Sequence, residues 1–135
     1  MSAIFLSVRL AGNTVNASMG SVQYYTGYTY QKVCADGFDD IAASVVCQEL
    51  GYMSGVAVYA GAFPDHQGLS YGVSQVKCLG GENRLIECDL IMGSYCGPGP
   101  ASVLCSKQEI SNFGMQFSRL IFFQDSAFYY SFYWF

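Results

Sequence analysis

The chain has 135 residues and a formal net charge of −4, with a pI near 4.6. A nucleic-acid-binding domain needs a basic surface, so this charge balance argues against nucleic acid as a partner. The length allows one domain with a modest core. Hydrophobic residues make up 52% of the chain and charged residues 12%, and we expect a partner to cover part of so apolar a surface.

The predicted strands are short stretches rich in valine, tyrosine and threonine. Before the helix they are residues 4–10, 21–25 and 28–33, and after it they are residues 73–78 and 101–105. A Thr-Gly pair at 26–27 predicts a hairpin turn between the second and third of them. Residues 53–68 have the composition of a loop with short extended pieces, and residues 82–88 are predicted to form one helical turn.

One convincing helix follows an acidic turn in the middle of the chain. Asp39 or Asp40 can cap its first turn, and Gly51 can adopt the left-handed conformation that ends it. Helical spacing predicts a buried face made of Ile41, Val45, Val46 and Leu50.

Six cysteines indicate either a metal site or a disulfide framework. They are separated by 12, 30, 9, 7 and 8 residues, and the chain has one histidine, His66. Structural zinc sites usually contain closely spaced ligand pairs, so disulfides are favoured. Disulfides persist in oxidising compartments, which predicts an extracellular protein, secreted or at the cell surface. Six cysteines allow fifteen pairings, and their spacing alone does not choose among them.

Three motifs together resemble the scavenger receptor cysteine-rich (SRCR) domain of the six-cysteine type. They are V-C-A-D-G-F-D with A-S-V-V-C-Q-E-L-G (33–51), C-L-G-G-E-N-R-L-I-E-C (78–88) and A-S-V-L-C (101–105). The resemblance covers roughly residues 8 to 106. It implies an α+β fold in which a curved antiparallel sheet packs on one main helix. It also implies the disulfides Cys34–Cys96, Cys47–Cys105 and Cys78–Cys88, and a core aromatic at Tyr30, where the family usually has tryptophan.

The resemblance also implies a calcium site, which is the one cofactor that we consider. Family members bind calcium through an acidic pair near the first of these cysteines and through the glutamate of the second motif. Here Asp36 corresponds to the second member of the pair and Glu82 to the distant glutamate, whereas Ala35 replaces the first member. Asp39 is the third candidate ligand. Because calcium prefers about six to eight oxygen ligands, we predict weak binding or none. The alternative is that Asp39 caps the helix and the others are solvated turn residues.

The remaining polar candidates are weaker. Asn16 begins an Asn-Ala-Ser sequon and is predicted to carry a glycan if the source is eukaryotic. His66 has no evident partner and is expected to be an ordinary surface histidine. No serine lies in a nucleophile elbow, and the family binds ligands rather than turning them over, so we do not expect an enzyme.

The composition changes after Lys107, beyond the resemblance. Eleven of the last thirty residues are aromatic, and Phe113, Met115 and Phe117 alternate with polar or small residues, which predicts a strand. We divide the chain into an SRCR-like domain (1–107) and an aromatic extension (108–135), predicted to be a strand or hairpin used for packing or assembly. Charged residues interrupt the run, so a transmembrane segment is not expected. The aromatic residues expected to make assembly contacts are Phe113, Phe117, Phe122, Phe128, Tyr130 and Trp134.

Two classes of function follow. The first is an extracellular binding or adhesion module for protein or polyanionic ligands, as the resemblance implies. The second is a structural subunit of an extracellular assembly, a homo-oligomer or filament, which self-associates through its aromatic extension. The sequence leaves open whether that extension packs within one chain or between chains.

Overall fold

The computed structural model describes residues 6–12, 16–64 and 68–108. Within these ranges one sheet contains every strand, in the order β4-β7-β2-β3-β5-β6, and β1 pairs with β2 outside this path. No helix in the described ranges is long and apolar enough to cross a membrane. The elements are β1 (Val8–Ala11), β2 (Met19–Tyr25), β3 (Tyr30–Val33), α1 (Asp40–Glu49), β4 (Ser54–Val58), β5 (Tyr71–Lys77), a 3-10 turn (Leu85–Glu87), β6 (Asp89–Met92) and β7 (Ser102–Ser106).

The sheet is mixed, so the prediction of a wholly antiparallel sheet is wrong at one position. β3 pairs with β5 in parallel, with Lys32 opposite Tyr71, whereas the other pairings of named strands are antiparallel. Parallel neighbours need a long crossover connection. Here α1 and β4 supply it, because both lie between β3 and β5 in the chain.

Most of the predicted elements are confirmed, but β6 was not predicted and β4 was expected only as one of the short extended pieces of the loop at 53–68. The hairpin turn is present, with the Thr26 amide donating to the Thr29 carbonyl at 2.9 Å. β4 lies inside the stretch predicted as a loop, and β6 follows directly after the 3-10 turn. Both are short and lie at opposite ends of the strand order. Their formation therefore depends on tertiary neighbours more than on local sequence pattern.

Helix α1 begins and ends where the sequence predicts, but its buried face is rotated. Asp39 accepts a hydrogen bond from the Ala42 amide at 3.0 Å, and Gly51 follows the helix with a φ of 98°. Val45 and Val46 are buried as predicted, whereas Ile41 is 45% exposed. That part of the prediction is wrong, because small residues occupy the face toward the sheet. The buried residues of the helix are Ala42, Ala43, Val45, Val46 and Cys47.

Three polar side chains of α1 bond to the backbone of β4 and of Met53, the residue that precedes it. The Asp40 carboxylate accepts from the Ala57 amide at 2.8 Å, and the Ser44 hydroxyl donates to the Gly55 carbonyl at 3.0 Å. The Gln48 side-chain amide donates to the Met53 carbonyl at 3.0 Å. Residues four apart share one stripe of a helix, and alternate strand residues direct their backbone groups to the same side. The helix thus satisfies backbone groups that another strand would otherwise pair.

Three disulfides fix the helix and the loops to the sheet. They join Cys34 to Cys96, Cys47 to Cys105 and Cys78 to Cys88, the same pairs that the resemblance implies. The first two close loops with sequence separations of 62 and 58 residues. Loops of this length restrict the unfolded chain strongly, and each disulfide contributes about 2–4 kcal/mol.

A buried carboxylate, Glu49, joins three parts of the fold at the end of α1. Its side chain is 1% exposed and accepts from the Ser7 amide and hydroxyl and from the Leu85 amide. The Arg84 guanidinium Nε lies 3.8 Å away. Burial, and then the charge of Glu49, raises the pKa of Tyr24 above its ordinary value of 10.0. Glu49 therefore connects the start of β1 and the 3-10 turn to the helix.

Substituting Gly55 tests the close contact between β4 and α1. A Cβ at this position would overlap the Cys47 Sγ and lie 2.9 Å from the Cys47 Cβ. We expect Gly55→Ala to destabilise the fold by about 2–3 kcal/mol through overpacking, measured by urea denaturation. Gly97→Ala is the matched control, because its Cβ would meet the Tyr95 hydroxyl at an ordinary 3.4 Å. Equal stability of the two variants would contradict this account.

A second substitution tests the role of Glu49. In Glu49→Gln, an amide group would face donors that now bond to a carboxylate oxygen, and the nearby Arg84 would lose its opposite charge. We expect a loss of about 2–4 kcal/mol in the free energy of unfolding. Glu87→Gln is the control, because Glu87 accepts one bond, from the Asn83 amide, in an exposed setting. A Glu49→Gln loss no larger than that of the control would show that the carboxylate is dispensable.

Candidate functional site

The acidic residues singled out in the sequence each have partners within the protein. Asp39 caps α1 through the Ala42 amide. Asp36 is exposed, and its carboxylate lies 3.3 Å from the Gln75 side-chain amide, which donates to it. The Asp36 carbonyl also accepts from the Val76 amide at 3.3 Å. These contacts hold the turn after β3 against β5.

Glu82 closes the loop between two disulfide-bonded cysteines. Its two carboxylate oxygens accept from the Leu79 and Gly80 amides, each at 2.8 Å. The hydrogen bond from Leu79, together with the other backbone donors, holds the pKa of Glu82 below its ordinary value of 4.5. The loop therefore stabilises the charged form of this side chain by direct amide contacts.

The three acidic residues do not converge on one point in the described part of the chain. There, one group of three potential metal ligands lies within 4.8 Å, namely Cys78, Glu82 and Cys88. Both cysteines are in a disulfide, so neither offers a thiolate, and Asp36 and Asp39 do not belong to the group. Since calcium prefers about six to eight oxygens, this arrangement fits calcium poorly. Calcium binding stays a prediction.

The other residues predicted from the sequence have different outcomes. Asn16 is exposed, and its side-chain oxygen accepts from the Ser18 amide and hydroxyl at 2.9 and 2.6 Å. The geometry leaves the sequon at the surface, and glycosylation stays a prediction. His66 and the aromatic residues at positions 113–134 lie outside the described residues, as does nearly all of the extension at 108–135, so the proposed domain boundary also stays a prediction.

A row of polar and aromatic side chains crosses the sheet on the face opposite α1. Arg9 lies opposite Gln23 in β2, Gln23 lies opposite Lys32 in β3, and Lys32 lies opposite Tyr71 in β5. Residues directly opposite each other in a regular ladder project to the same face. The β3–β5 pairing shifts register between Lys32 and Val33, and there the contact of the Lys32 ammonium with the Tyr71 ring shows that the two side chains share a face. Neighbouring strands are about 4.8 Å apart, so the four positions span about 14 Å. We call these residues, with Tyr30, the cation–tyrosine row.

Both cations of the row lie over tyrosine rings. The Arg9 guanidinium carbon is 3.9 Å from the centre of the Tyr30 ring, and the Lys32 ammonium is 4.6 Å from that of Tyr71. Arg9 Nε also donates to the Gln23 side-chain oxygen at 2.7 Å. Such contacts are worth about 0.5–1 kcal/mol at exposed sites. They hold the two positive charges at defined positions on the sheet.

The sequence pattern does not reveal the row, because its members are far apart in the chain. The tyrosine predicted to be a core aromatic, Tyr30, is half-buried and lies under Arg9 on the outer face. Gln23 is 1% exposed although it is polar, and its side-chain oxygen accepts a hydrogen bond from Arg9. Alternation in 21–25 and 28–33 could have shown which residues share a face, but not which strands are neighbours.

Comparison with known proteins places the chain beside one family. The family model for the scavenger receptor cysteine-rich domain matches residues 12–106. Lysyl oxidase homolog 2 of Xenopus tropicalis is 37% identical over 82 residues, which are 60% of this chain and 10% of that protein. Lysyl oxidase homolog 4 of Bos taurus is 34% identical over 103 residues, 72% of this chain and 13% of that protein. The chain thus spans a small fraction of these relatives.

Two solved structures share the fold over most of their length. The third SRCR domain of murine neurotrypsin superposes with a TM-score of 0.65 at 29% identity, covering 76% of this chain and 97% of that domain. The dimeric form of the SRCR domain of mouse MARCO superposes with a TM-score of 0.58 at 30% identity, covering 65% of this chain and 86% of that one. The curled sheet with one helix is therefore the arrangement of these domains.

The Glu82 contacts predict how the 78–88 loop responds to acid. Because the pKa is lowered in the folded protein, the stabilisation is present above the ordinary value of 4.5 and is lost as the pH falls through the lower, folded-state pKa. In an NMR titration, we expect the Leu79 and Gly80 amide shifts to change together with a midpoint below 4.5. Glu82→Gln should abolish this step. A midpoint at or above 4.5 in the unsubstituted protein would contradict the contacts.

Proposed function

Because the chain belongs to the scavenger receptor cysteine-rich family, whose domains are typically extracellular binding modules, we propose that it binds polyanionic ligands through the cation–tyrosine row. The observation that carries the proposal is the transverse alignment of Arg9, Gln23, Lys32 and Tyr71 on one face. Two positive charges held over aromatic rings offer an extended anion both charge complementarity and an apolar surface.

The local charge of this face differs from that of the whole chain. The formal net charge is −4, but several of the acidic residues lie elsewhere, on the α1 cap and in the 78–88 loop. There, the carboxylates of Asp39 and Glu82 accept hydrogen bonds from backbone amides. Association with a polyanion depends on the charges that face it within about a Debye length, roughly 8–10 Å at physiological ionic strength. A net acidic chain can therefore bind a polyanion through this face.

The proposal includes no catalytic step. The SRCR fold is a non-catalytic module, and the row contains no nucleophile with an adjacent base. The lysyl oxidase homologs that resemble this chain are 10–13% covered by it, so an oxidase activity is not proposed. We propose an extracellular location, whether secreted or at the cell surface, from the family and the three disulfides.

A second candidate is a structural subunit that self-associates. It is favoured by the eleven aromatic residues after residue 112, and by the dimeric form in which one structural neighbour crystallised. Light scattering of the native protein over a range of concentrations tests it. A monomer at high concentration would exclude this candidate and leave the binding proposal intact.

The row is tested by removing one charge at a time. We expect Arg9→Gln and Lys32→Gln each to weaken binding to heparin about fivefold, since an exposed ion pair is worth up to about 1 kcal/mol. Lys77→Gln is the matched control, because it removes the same charge from the far end of β5, opposite Asp89. Isothermal titration at two salt concentrations should show weaker binding at high salt.

The same titration, repeated with a chelator, tests whether calcium contributes to heparin binding. Because no row residue offers a carboxylate, we expect heparin affinity to be unchanged by a chelator. Affinity that falls in chelator would connect binding to the acidic residues instead. Equal losses in all three charge variants would show that net charge, rather than the row, governs binding and would overturn the proposal.

A further inference from the structure

An apolar cleft lies beside β1, next to one end of the cation–tyrosine row. Its volume is about 400 Å³, within the range of about 300–1,000 Å³ that is usual for binding clefts. Its walls come mainly from β1 and the residue before it, from the turn that leads into β2, and from the segment at the end of α1. They include the side chains of Leu6, Leu10, Ala17, Met19, Leu50 and Tyr52. We call it the β1 cleft.

The side chains that line the β1 cleft range from exposed to fully buried. Leu6 is 38% exposed, and Val8 is 1% exposed. Leu10, Met19 and Leu50 are half-buried. An aliphatic chain placed along these residues would remove their remaining apolar surface from water, and each methylene group that it buries strengthens binding. The cleft therefore favours a ligand with an aliphatic part.

The charge on the cleft wall is positive. In the described part of the chain, one charged residue lines the cleft, and it is Arg9. Arg9 is exposed and contacts two neutral groups, the Tyr30 ring and the Gln23 side-chain oxygen. The bond to Gln23 uses Nε, and a guanidinium has further N–H donors that can take a carboxylate. Glu49, which precedes Leu50, is 1% exposed, and its carboxylate is bonded inside the fold.

We propose that the β1 cleft binds one fatty-acyl anion, with its carboxylate paired to Arg9 and its chain along the apolar walls. A methylene group is close in size to a water molecule, which takes up about 30 Å³ in the liquid. The cleft thus holds an aliphatic chain of at most about thirteen carbons, the size of a medium-chain fatty acid such as laurate. Arg9 fixes the orientation of that chain.

The shape and the charge of the cleft together select this class of ligand. A purely apolar molecule would cover part of Arg9 without giving it an anion, and covering an unpaired charge costs free energy. A purely ionic ligand would leave the apolar walls without a partner. A bilayer presents a broad surface, whereas a concave cleft between separate segments of the chain admits a single aliphatic chain.

The cleft shares Arg9 and Tyr30 with the cation–tyrosine row. A carboxylate paired with Arg9 neutralises one of the two positive charges of the row, so a fatty acid and a polyanion would compete for this side chain. The inference does not rest on the proposed polyanion function, because neither Lys32 nor Tyr71 lines the cleft.

The test is isothermal titration of the full-length protein with fatty-acid anions, each kept below the concentration at which it forms micelles. Along the series hexanoate, octanoate, decanoate and laurate, we expect the affinity to rise about tenfold for each two methylene groups added. Myristate should gain little more, because the cleft is then filled. An affinity that does not depend on chain length would overturn the proposal.

Two substitutions locate the ligand. Arg9→Gln should weaken laurate binding about fivefold, and Lys77→Gln is its control, because it removes the same charge elsewhere. Ala17→Trp places an indole in the cleft from an exposed turn and should weaken laurate binding about tenfold or more. Ser94→Trp is its control, because Ser94 is exposed and follows β6. Circular dichroism and non-reducing peptide mapping check that each variant keeps its fold and its three disulfides.

Methyl resonances give a second readout of the position of the ligand. In ¹³C-labelled protein, laurate should shift the methyl signals of Leu10 and Leu50, which line the cleft. The methyl signals of Ile91, which is 55% exposed on β6, should stay unchanged. Equal shifts at all three residues would indicate unspecific binding to apolar surface and would overturn the proposal.

Heparin titrations distinguish this inference from the polyanion proposal. Ala17→Trp should leave the affinity for heparin unchanged, whereas saturating laurate should weaken it about fivefold by neutralising Arg9. Equal laurate affinities of Ala17→Trp and Ser94→Trp, or binding to vesicles of anionic lipid without binding to monomeric laurate, would overturn the inference and leave the polyanion proposal intact. Laurate binding with the expected dependence on Arg9 and Ala17, in a protein that does not bind heparin, would support the inference and overturn the polyanion proposal alone.

Discussion

The outer edge of β4 is closed by a helix rather than by another strand, and much of the structure depends on that contact. Side chains of α1 take up backbone groups along this edge, while Cys47 on the same helix is bonded to Cys105 in β7. The helix thus holds the first two strands of the sheet order together. Gly55 permits this, since any larger residue would meet Cys47. An open strand edge invites pairing with other chains, and here the helix removes that opportunity.

The core and the cation–tyrosine row both result from the alternation of side chains between the two faces of the sheet. Val8, Val22 and Val33 are buried on the helix side of the sheet, and their chain neighbours Arg9, Gln23 and Lys32 consequently face outward. A register shift of one residue would exchange the two sets. The valine core and the disulfides therefore determine where the two positive charges lie, although they are not part of the proposed binding site. A substitution in the core that shifts the register would be expected to affect binding as well as stability.

The cysteine motifs allowed the fold to be predicted, since they carry the family resemblance and with it the disulfide pairs. Residue type and position also predicted that an aspartate at 39 or 40 caps the helix and that Gly51 ends it. Ile41 was misassigned because helical spacing defines a stripe but not which side of it meets the sheet. Glu49 was missed because its donors, from Ser7 and Leu85, lie 42 and 36 residues away in the chain. The row was missed for the same reason: strand order, which the sequence pattern does not reveal, brings Arg9 and Lys32 into line.

Closure of a strand edge by a helix has a geometric limit. Four helix residues advance about 6.0 Å, whereas two strand residues advance about 6.7 Å. The two advances differ by roughly 0.7 Å for each such step, so helix side chains and strand groups move out of alignment along the contact. The longest of the three side chains, Gln48, makes the last of the three bonds, and α1 ends one residue later. A single straight helix can therefore cover the backbone of a short edge strand but not of a long one, and β4 has five residues.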